Sequence, residues 1–224
     1  MAQGIQNRKF KIQNQRAKPS RRGRIFVISS PSGGGKTTVV ERLCAAMPRL
    51  VRSVSVTTRL PRPGERPGHD YHFVPKQTFQ RLRRSGQLLE WAQVHGASYG
   101  TPKRPVVRAL AQERDVIVSL DVQGARAVRR LFGARSVLIF LAPPSMRQLR
   151  SRLMRRRTET AAAIRRRLAV ARRELACARW YDHTVVNDRL QRTISSLTRI
   201  ITKGVAHHGT SRHRRIVEAL RQRL

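Results

Sequence analysis

The sequence RIFVISSPSGGGKTT spans residues 24–38 and indicates the architecture of the chain. Its first part, Arg24 to Ser29, is short, apolar and β-branched, as expected of a buried parallel strand. A turn of Pro, Gly and Ser follows, and Thr37 to Met47 then has the pattern of a helix that ends before Pro48. A strand, a glycine-rich turn and a helix in this order predict the opening of a βαβ unit.

The glycine-rich turn has the composition of a phosphate-binding loop. Glycines allow backbone N–H groups to converge on a phosphate, and the N-terminus of the following helix adds its dipole. In such a loop Lys36 reaches the β- and γ-phosphates, and the Thr37 hydroxyl ligates Mg²⁺. Ser30 stands where the strict G-x-x-x-x-G-K-[ST] pattern has glycine, but the flanking strand and helix argue against a flexible turn without a function. The predicted nucleoside triphosphate site consists of Ser32, Gly33, Gly34, Gly35, Lys36, Thr37 and Thr38.

Beyond this loop, strand patterns alternate with helix patterns. Further strands are predicted at Val51–Val56, Val116–Leu120, Val137–Leu141 and Thr184–Val186. Helices are predicted at Gln77–Ser85, Val106–Arg114, Gln123–Leu131, Ser145–Arg156, Ala161–Ala178 and Gln191–Lys203. This alternation predicts an α/β fold with a parallel sheet covered by helices on both faces. Residues 57–101 break it with Pro, Gly and aromatic residues, so we predict an inserted substrate-binding region there.

A second phosphate-binding pattern lies in this inserted region. The sequence SVSVTTRLPRPGE covers residues 53–65, and GHDYHF covers residues 68–73. Arg59 and Arg62 are three residues apart beside prolines, with Tyr71 nearby, and the guanidinium fork suits bidentate binding of a phosphate. A solvated Pro/Arg loop is the alternative, because in so arginine-rich a chain this spacing alone has little weight.

The same stretch resembles the S-x-S-x-T-T-R-x-P-R-x-G-E…Y-x-F signature of guanylate kinases. Later segments match that family in the same order and with similar spacing: LEWA (89–92), YGT (99–101), LDVQG (120–124), RTET (157–160) and VVND (185–188). The resemblance covers about residues 24–203. It implies a P-loop nucleoside monophosphate kinase fold. It also implies an enzyme of purine nucleotide metabolism that transfers the γ-phosphate of ATP to GMP.

The resemblance also implies a division of the chain. The guanylate kinase-like domain would span residues 23–206, with a GMP-binding insertion at about 55–101 and a helical lid at about 146–172. Residues 1–22 and 207–224 would be basic tails. The first tail contains seven basic residues, no acid and no apolar segment of the kind found in secretory signals, so we predict that it is disordered.

The resemblance further implies roles at matching positions. The GMP phosphate would be held by Arg59, Arg62, Tyr71 and Tyr99. The guanine would be read by Ser55, Glu90, Thr101 and Asp121. The catalytic groups would be Lys36, Arg59 and the lid residues Arg156 and Arg167, and Asn187 would lie near the adenine of ATP.

The chemistry of the bases supports the two guanine-reading carboxylates. Guanine offers N1–H and N2–H₂ donors where adenine offers an acceptor, so Glu90 or Asp121 accepts from guanine and repels adenine. A general base is not needed, because the GMP phosphate oxygen is already an anionic nucleophile. Catalysis would consist of positioning and of charge neutralisation by Lys36, Mg²⁺ and arginines.

Two segments depart from the family pattern. Guanylate kinases usually read D-x-D-x-Q-G, whereas residues 119–124 read SLDVQG, so Ser119 replaces the Asp that is associated with Mg²⁺. In the lid, the usual G-R-G is Arg155-Arg156-Arg157, which removes two glycines that would ease bending of the loop. We expect these changes to affect the catalytic rate more than nucleotide binding.

The charge is extreme, with 48 Lys+Arg against 12 Asp+Glu and a net charge of +36. The excess is mostly arginine and is spread along the chain, whereas a nucleic-acid-binding surface concentrates it on one element. We therefore expect only non-specific attraction of nucleic acid.

Cys44 and Cys177 form no CxxC motif and indicate buried thiols in a reducing compartment, so a cytoplasmic location is predicted. No apolar run is long enough to cross a bilayer, and no membrane association is expected.

Three other functions stay open at this point. A non-catalytic interaction module of the same fold typically loses the phosphate-binding loop, whereas this chain keeps Gly35, Lys36 and Thr37. A kinase of the same fold with another phosphorylated acceptor would not need the guanine-reading residues. Nucleic-acid binding as the main function would need a recognition motif, and none is visible in the sequence.

Overall fold

A computed structural model of the chain describes residues 23–94, 96–155 and 160–203. The strands in these ranges are β1 (Ile25–Ser29), β2 (Val51–Arg52), β3 (Val56–Thr57), β4 (His72–Phe73), β5 (Leu88–Val94), β6 (Ala97–Pro102), β7 (Val116–Ser119), β8 (Ser136–Ala142) and β9 (His183–Val186). The α-helices are α1 (Lys36–Ala46), α2 (Lys76–Arg84), α3 (Lys103–Ala111), α4 (Val122–Phe132), α5 (Met146–Met154), α6 (Ala161–Ala176) and α7 (Leu190–Lys203). Short 3-10 helices follow α4 and α6 at Gly133–Arg135 and Cys177–Trp180.

The first sheet is parallel throughout and has the strand order β2-β7-β1-β8-β9. Successive side chains of a strand point to opposite faces. Ile25 and Val27 therefore pack in one core with α3, α4 and α6, while Phe26 and Ile28 pack in a second core with α1 and α7. All four side chains are fully buried, which stabilises the fold by roughly 2 kcal/mol each. The predicted parallel sheet with helices on both faces is confirmed.

The second sheet lies in the region where the alternation of strands and helices breaks down, and its order is β4-β3-β6-β5. Here β5 and β6 form an antiparallel hairpin, and β3 pairs antiparallel with β6 but parallel with β4. Along β5 the side chains alternate between an inner and an outer face. Glu90 and Ala92 are buried, whereas Trp91 and Gln93 are exposed.

The predicted strand at Val51–Val56 is wrong as a single element. It is split between β2 of the first sheet and β3 of the second. The backbone N–H of Ser53 still donates to the carbonyl of Ile117 at 3.0 Å, but the carbonyl of Ser55 accepts from His72 at 2.9 Å. The β-type sequence is thus continuous, while the pairing partners change at residues 53–55.

The predicted helices are all present, with shifted ends. The largest shift is in α3, which begins at Lys103 rather than Val106 and ends at Ala111, before Glu113 adopts a positive φ of 56°. The two cysteines are unpaired and half-buried rather than fully buried. No described helix is long and apolar enough to cross a bilayer. The predicted tails at 1–22 and 207–224, and lid residues 156–159, lie outside the described residues.

Candidate active site

A cavity of about 300 Å³ opens between the two sheets, at the carboxyl ends of β1 and β7. In open parallel sheets, ligands bind at this edge, where the loops after neighbouring strands diverge. The wall is formed by the turn after β1, the segment between β3 and β4, strands β5 and β6, the end of β7 and helix α6. The predicted site residues on this wall are Ser32, Gly33, Gly34, Gly35, Lys36, Thr37, Thr38, Arg59, Arg62, Tyr71, Glu90, Tyr99, Asp121 and Arg167.

Residues 30–35, which we call the glycine loop, turn sharply between β1 and α1. Gly35 has a φ of +89°, in the left-handed region where a side chain is strained, and it precedes the first residue of α1. A Cβ at Gly34 would lie 1.7 Å from Oγ of Ser30, so the serine fills the space next to that glycine. Ser30 Oγ and the N–H of Gly34 both donate to the carbonyl of Pro31, at 3.1 and 2.9 Å. The departure at Ser30 is therefore accommodated within the loop.

Lys36 is the first residue of α1, and its side chain turns back toward the loop. Its ammonium donates to the carbonyl oxygens of Ser30 at 3.0 Å and Leu120 at 3.5 Å. Burial lowers the pKa of Lys36, while the carboxylates of Glu174 and Asp121 oppose this shift. An ammonium has three N–H donors, so one donor is left to point into the cavity.

Asn187 lies outside the set of residues that line the cavity, because its buried side chain is used to hold the glycine loop. Its Nδ2 donates to the carbonyl of Gly34 at 2.7 Å, and its Oδ1 accepts from the hydroxyl of Thr193 at 3.1 Å. Arg152 of α5 donates to the Asn187 carbonyl at 3.1 Å. Asn187, which follows β9, thus connects the loop to α7 through its amide side chain and to α5 through its backbone carbonyl.

Arg59 is held from two sides. Its Nη1 and Nη2 donate to the two carboxylate oxygens of Glu65 at 2.8 and 2.9 Å, and its Nε donates to the hydroxyl of Tyr99 at 3.3 Å. The guanidinium also lies 5.3 Å from the ring centre of Tyr71, within the range of a cation–π contact. Burial lowers the pKa of Arg59, but the hydrogen bonds with Glu65 and Tyr99 outweigh it and raise the pKa overall.

Glu65 arranges the second arginine as well. Its Oε2 accepts the backbone N–H of Arg62 at 2.8 Å, in the turn that brings residue 62 back toward residue 59. Burial raises the pKa of Glu65, but the hydrogen bonds from Arg59 and Arg62 outweigh it and lower the pKa overall. Glu65 therefore stays ionised at neutral pH, where it fixes the guanidinium of Arg59 and the backbone of Arg62.

Glu90 is a buried carboxylate on the opposite wall, with 7% of its surface exposed. Its Oε1 accepts from the hydroxyl of Thr101 at 2.6 Å, across a register pair between β5 and β6. Burial raises the pKa of Glu90 to about 7, the hydrogen bond from Thr101 opposes this shift, and the charge of Asp121 adds to it. Thr101 and Ser55 are themselves buried and are not among the residues that line the cavity.

Asp121 and Ser119 lie at the end of β7. Asp121 is the N-cap of α4, and its Oδ1 accepts from the N–H of Gly124 at 2.8 Å. Ser119 is the last residue of β7 and pairs in register with Ile28 of β1. Both side chains line the cavity near the glycine loop.

Helix α6 contributes Arg167 and Glu174. Arg167 Nη1 donates to the hydroxyl of Ser32 at 2.9 Å, so the helix contacts the glycine loop directly. Burial raises the pKa of Glu174 to about 7, while Lys36 lowers it and Asp121 raises it further. The other predicted lid residue, Arg156, lies outside the described residues.

Two residues of this arrangement were missed at the level of sequence. Glu65 belongs to the quoted signature, and its position three residues after Arg62 is the signal that could have identified it. Glu174 follows Arg167 by seven residues, which places both on one face of a helix, but the pattern gives no reason to select it. Glu65 contacts Arg59, and Glu174 lines the cavity together with Lys36; Arg59 and Lys36 were both assigned at the level of sequence.

Comparison with known proteins shows a match to the family model described as Guanylate kinase over residues 22–204. The chain is 47% identical over 183 residues to guanylate kinase of Rhodococcus jostii (strain RHA1), covering 81% of this chain and 88% of that protein. It is 43% identical over 181 residues to guanylate kinase of Wolbachia sp. subsp. Brugia malayi, covering 81% and 93%.

Among solved structures, the fold is similar to the crystal structure of guanylate kinase from Anaplasma phagocytophilum, with a TM-score of 0.70. The two chains are 34% identical, and the match covers 82% of this chain and 87% of the other. The match to the family model, over residues 22–204, includes both sheets and the residues that line the cavity.

Proposed function

The chain belongs to the guanylate kinase family and is an ATP:GMP phosphotransferase, and we propose that the cavity between its two sheets is the site of phosphoryl transfer. The supporting observation is that one cavity brings together the glycine loop, the Arg59–Tyr99 pair and the buried Glu90. The glycine loop suits a triphosphate, the Arg59–Tyr99 pair suits a monophosphate, and the buried carboxylate suits a guanine.

The phosphates of ATP would lie along the glycine loop. Backbone N–H groups at the loop and at the N-terminus of α1 suit an anion, and the dipole of α1 adds to them. Lys36 would contact the β- and γ-phosphates with its remaining donor. Asn187 would support this site by holding the carbonyl of Gly34, close to where the adenine is expected. The proposed ATP-binding residues are Ser32, Gly33, Gly34, Gly35, Lys36, Thr37, Thr38 and Asn187.

Two hydroxyl oxygens suit a magnesium ion. Mg²⁺ prefers hard oxygen ligands, and the hydroxyls of Thr37 and Ser119 line the same cavity. We infer that Thr37 would hold the ion together with the phosphates of ATP. When bound, the ion offsets negative charge on the phosphates.

The phosphate of GMP would bind between Arg59, Arg62, Tyr71 and Tyr99. Arg59 already has a fixed orientation, because Glu65 and Tyr99 hold its guanidinium before any ligand arrives. An arginine fixed in this way loses less conformational entropy on binding than a free one. Glu65 therefore acts as a positioning residue for the acceptor phosphate.

The guanine would be read by Glu90 and Asp121, with Thr101 and Ser55 behind them. Ionised Glu90 accepts the N1–H and N2–H₂ donors of guanine, and Thr101 fixes its other oxygen. Adenine presents an acceptor at the same edge, which would leave a buried carboxylate unpaired. We infer that this is the basis of acceptor selection.

Transfer would then depend on alignment and charge. An oxygen of the GMP phosphate attacks the γ-phosphorus of ATP, and the bond to the ADP oxygen breaks in line with it. Lys36 and Arg59 would stabilise the charge that is spread over the transferring group, and Arg167 and Arg156 would add to this from the lid. Closure of the lid would exclude water.

An assay of ADP release with MgATP and a panel of nucleoside monophosphates tests this proposal, and we expect GMP to be the preferred acceptor. The alternative of a non-catalytic module has no observation in its favour, since Lys36 and Thr37 line the cavity.

We place the enzyme in the cytoplasm, in purine nucleotide metabolism, a setting that suits its two unpaired cysteines. Any binding of nucleic acid would be non-specific, through the positive charge.

A further inference from the structure

Helix α6 presents two charged side chains to the cavity. Arg167 and Glu174 are seven residues apart, so in a helix of 3.6 residues per turn they lie on one face, two turns apart. Between them, Ala171 is buried against Leu149 and Leu153 of α5, with 1% of its surface exposed. This packing joins α6 to α5, and within α6 the two charged residues keep a constant separation.

The two side chains act on the glycine loop at different points. Arg167 donates to the hydroxyl of Ser32, within the loop. Glu174 lines the same cavity as Lys36, the residue that follows the loop. Of the two carboxylates that raise the pKa of Lys36 against the effect of burial, Glu174 has the larger effect. The second carboxylate, Asp121, already accepts the N–H of Gly124 as the cap of α4.

The ammonium of Lys36 needs a group that orients it. It is a compact point charge on a flexible stem with three equivalent donors. Its two hydrogen bonds are made to the neutral carbonyls of Ser30 and Leu120. Above its pKa of about 7, the ionised carboxylate of Glu174 in the same cavity therefore influences where the ammonium lies when a phosphate enters.

A carboxylate at this position also has a disadvantage. It lies in the cavity that would receive the phosphates of ATP, and like charges disfavour binding. The chain has only 12 acidic residues against 48 basic ones, so an acid in a phosphate site is not explained by composition. A group that weakens binding of the ground state is expected to persist if it contributes more in the transition state.

We propose that Glu174 is a positioning residue for phosphoryl transfer, which directs the Lys36 ammonium toward the transferring phosphate. This inference rests on the proposed function and deepens it. Because Arg167 and Glu174 belong to one helix, a movement of α6 that brings Arg167 to the phosphates also changes the charge around Lys36. Helix α6 thereby couples the lid to the lysine of the loop.

The test compares Glu174→Gln and Glu174→Asp with the unmodified protein, and uses Glu113→Gln as the matched control at an exposed position after α3. We expect Glu174→Gln to lower kcat on the order of 10- to 100-fold, less than the roughly 10²- to 10³-fold lost with a group that contacts the transition state directly, because Glu174 acts through Lys36. The KM for GMP should stay unchanged. Calorimetry without metal should show that ADP binds equally well or more tightly, because a like charge has been removed. Glu174→Asp should recover part of kcat, and Glu113→Gln should match the unmodified protein.

Three results would overturn this inference: an unchanged kcat in Glu174→Gln, ADP binding that weakens together with kcat, or a loss of kcat that a higher Mg²⁺ concentration restores. The last would assign Glu174 to the surroundings of the metal instead. Thermal unfolding of each variant separates a loss of folding from a loss of positioning. Failure of the unmodified protein to phosphorylate GMP would instead contradict the proposed function, and the ADP affinity of Glu174→Gln would still test the arrangement of charges.

Discussion

The hydroxyl of Thr101 donates a hydrogen bond of 2.6 Å to Oε1 of Glu90, and both residues are buried at the junction of β5 and β6. Burial raises the pKa of Glu90 to about 7 despite this hydrogen bond. In the protein without ligand, the carboxyl group is therefore divided between its protonated and ionised forms near neutral pH. Only the ionised form can accept both donors of guanine.

We predict that the affinity for GMP increases as the pH rises through about 7, the pKa of Glu90. GMP binds the ionised form of Glu90, so protonation of Glu90 at lower pH competes with GMP. Binding of GMP below pH 7 therefore releases a proton from Glu90. Titration calorimetry over roughly one pH unit on either side, in buffers of different ionisation enthalpy, measures both effects. A GMP affinity that does not change over this range, with no release of protons, would contradict the role given to Glu90.

The second prediction concerns Glu65, which holds the fork of Arg59 and the backbone of Arg62. Glu65→Gln should raise the KM for GMP about tenfold, equivalent to about 1.4 kcal/mol, because the guanidinium of Arg59 loses its fixed orientation and the turn at Arg62 loses a hydrogen bond. The KM for ATP should change little, since Glu65 is not among the residues that line the cavity near the glycine loop. Steady-state kinetics with each substrate varied in turn will measure this, with Glu113→Gln as the control. Equal changes in both KM values would indicate general damage to the fold.

The third prediction concerns Ser119, which stands where the family usually has Asp. A serine hydroxyl is neutral and shorter than a carboxylate, so it offsets the charge of Mg²⁺ less and orients its water shell less well. Ser119→Asp should raise kcat or lower the Mg²⁺ requirement, with little change in GMP affinity. A titration of Mg²⁺ at saturating ATP and GMP measures both quantities. If neither changes in a folded and active variant, another group or water has taken over this role.

The glycine loop could be predicted from sequence because its requirements are local: an apolar strand, glycines at the turn, and Lys36 at the start of a helix. Two groups near the loop lie more than a hundred residues further along the chain. Asn187 was assigned through the resemblance, but its hydrogen bond to the carbonyl of Gly34 could not be predicted. Glu174 could not be predicted at all, because it reaches the cavity only through the tertiary packing of α6.

The second sheet shows the same limit in its strands. Residues 51–56 have a continuous β pattern, and nothing in that pattern marks the change of partner after Ser53. The roles of Arg59, Arg62 and Glu90 were predicted from resemblance to a family, whereas their mutual arrangement depends on Glu65 and Thr101. Such hydrogen bonds are set by tertiary structure and leave little trace in composition or spacing.

The fourth prediction is that removal of residues 1–22 leaves GMP phosphorylation nearly unchanged. This stretch contains seven basic residues and none of the residues assigned to the cavity. Binding to a polyanion such as heparin or DNA should weaken, and its dependence on salt should become less steep, because fewer counterions are released. Filter binding at several salt concentrations measures this. A truncated protein that folds but no longer phosphorylates GMP would show that the tail belongs to the active site.

The most direct test of the function is the specificity constant for each acceptor, measured as ADP release with MgATP and GMP, dGMP, AMP, CMP or UMP. With the buried Glu90 and Thr101 reading the base, kcat/KM for GMP should exceed that for AMP by roughly 10⁴-fold, as expected when a wrong base leaves buried polar groups unpaired. The value for dGMP should lie between the two. Comparable kcat/KM values for GMP and AMP would contradict the assignment of this cavity to guanine and to phosphoryl transfer onto GMP.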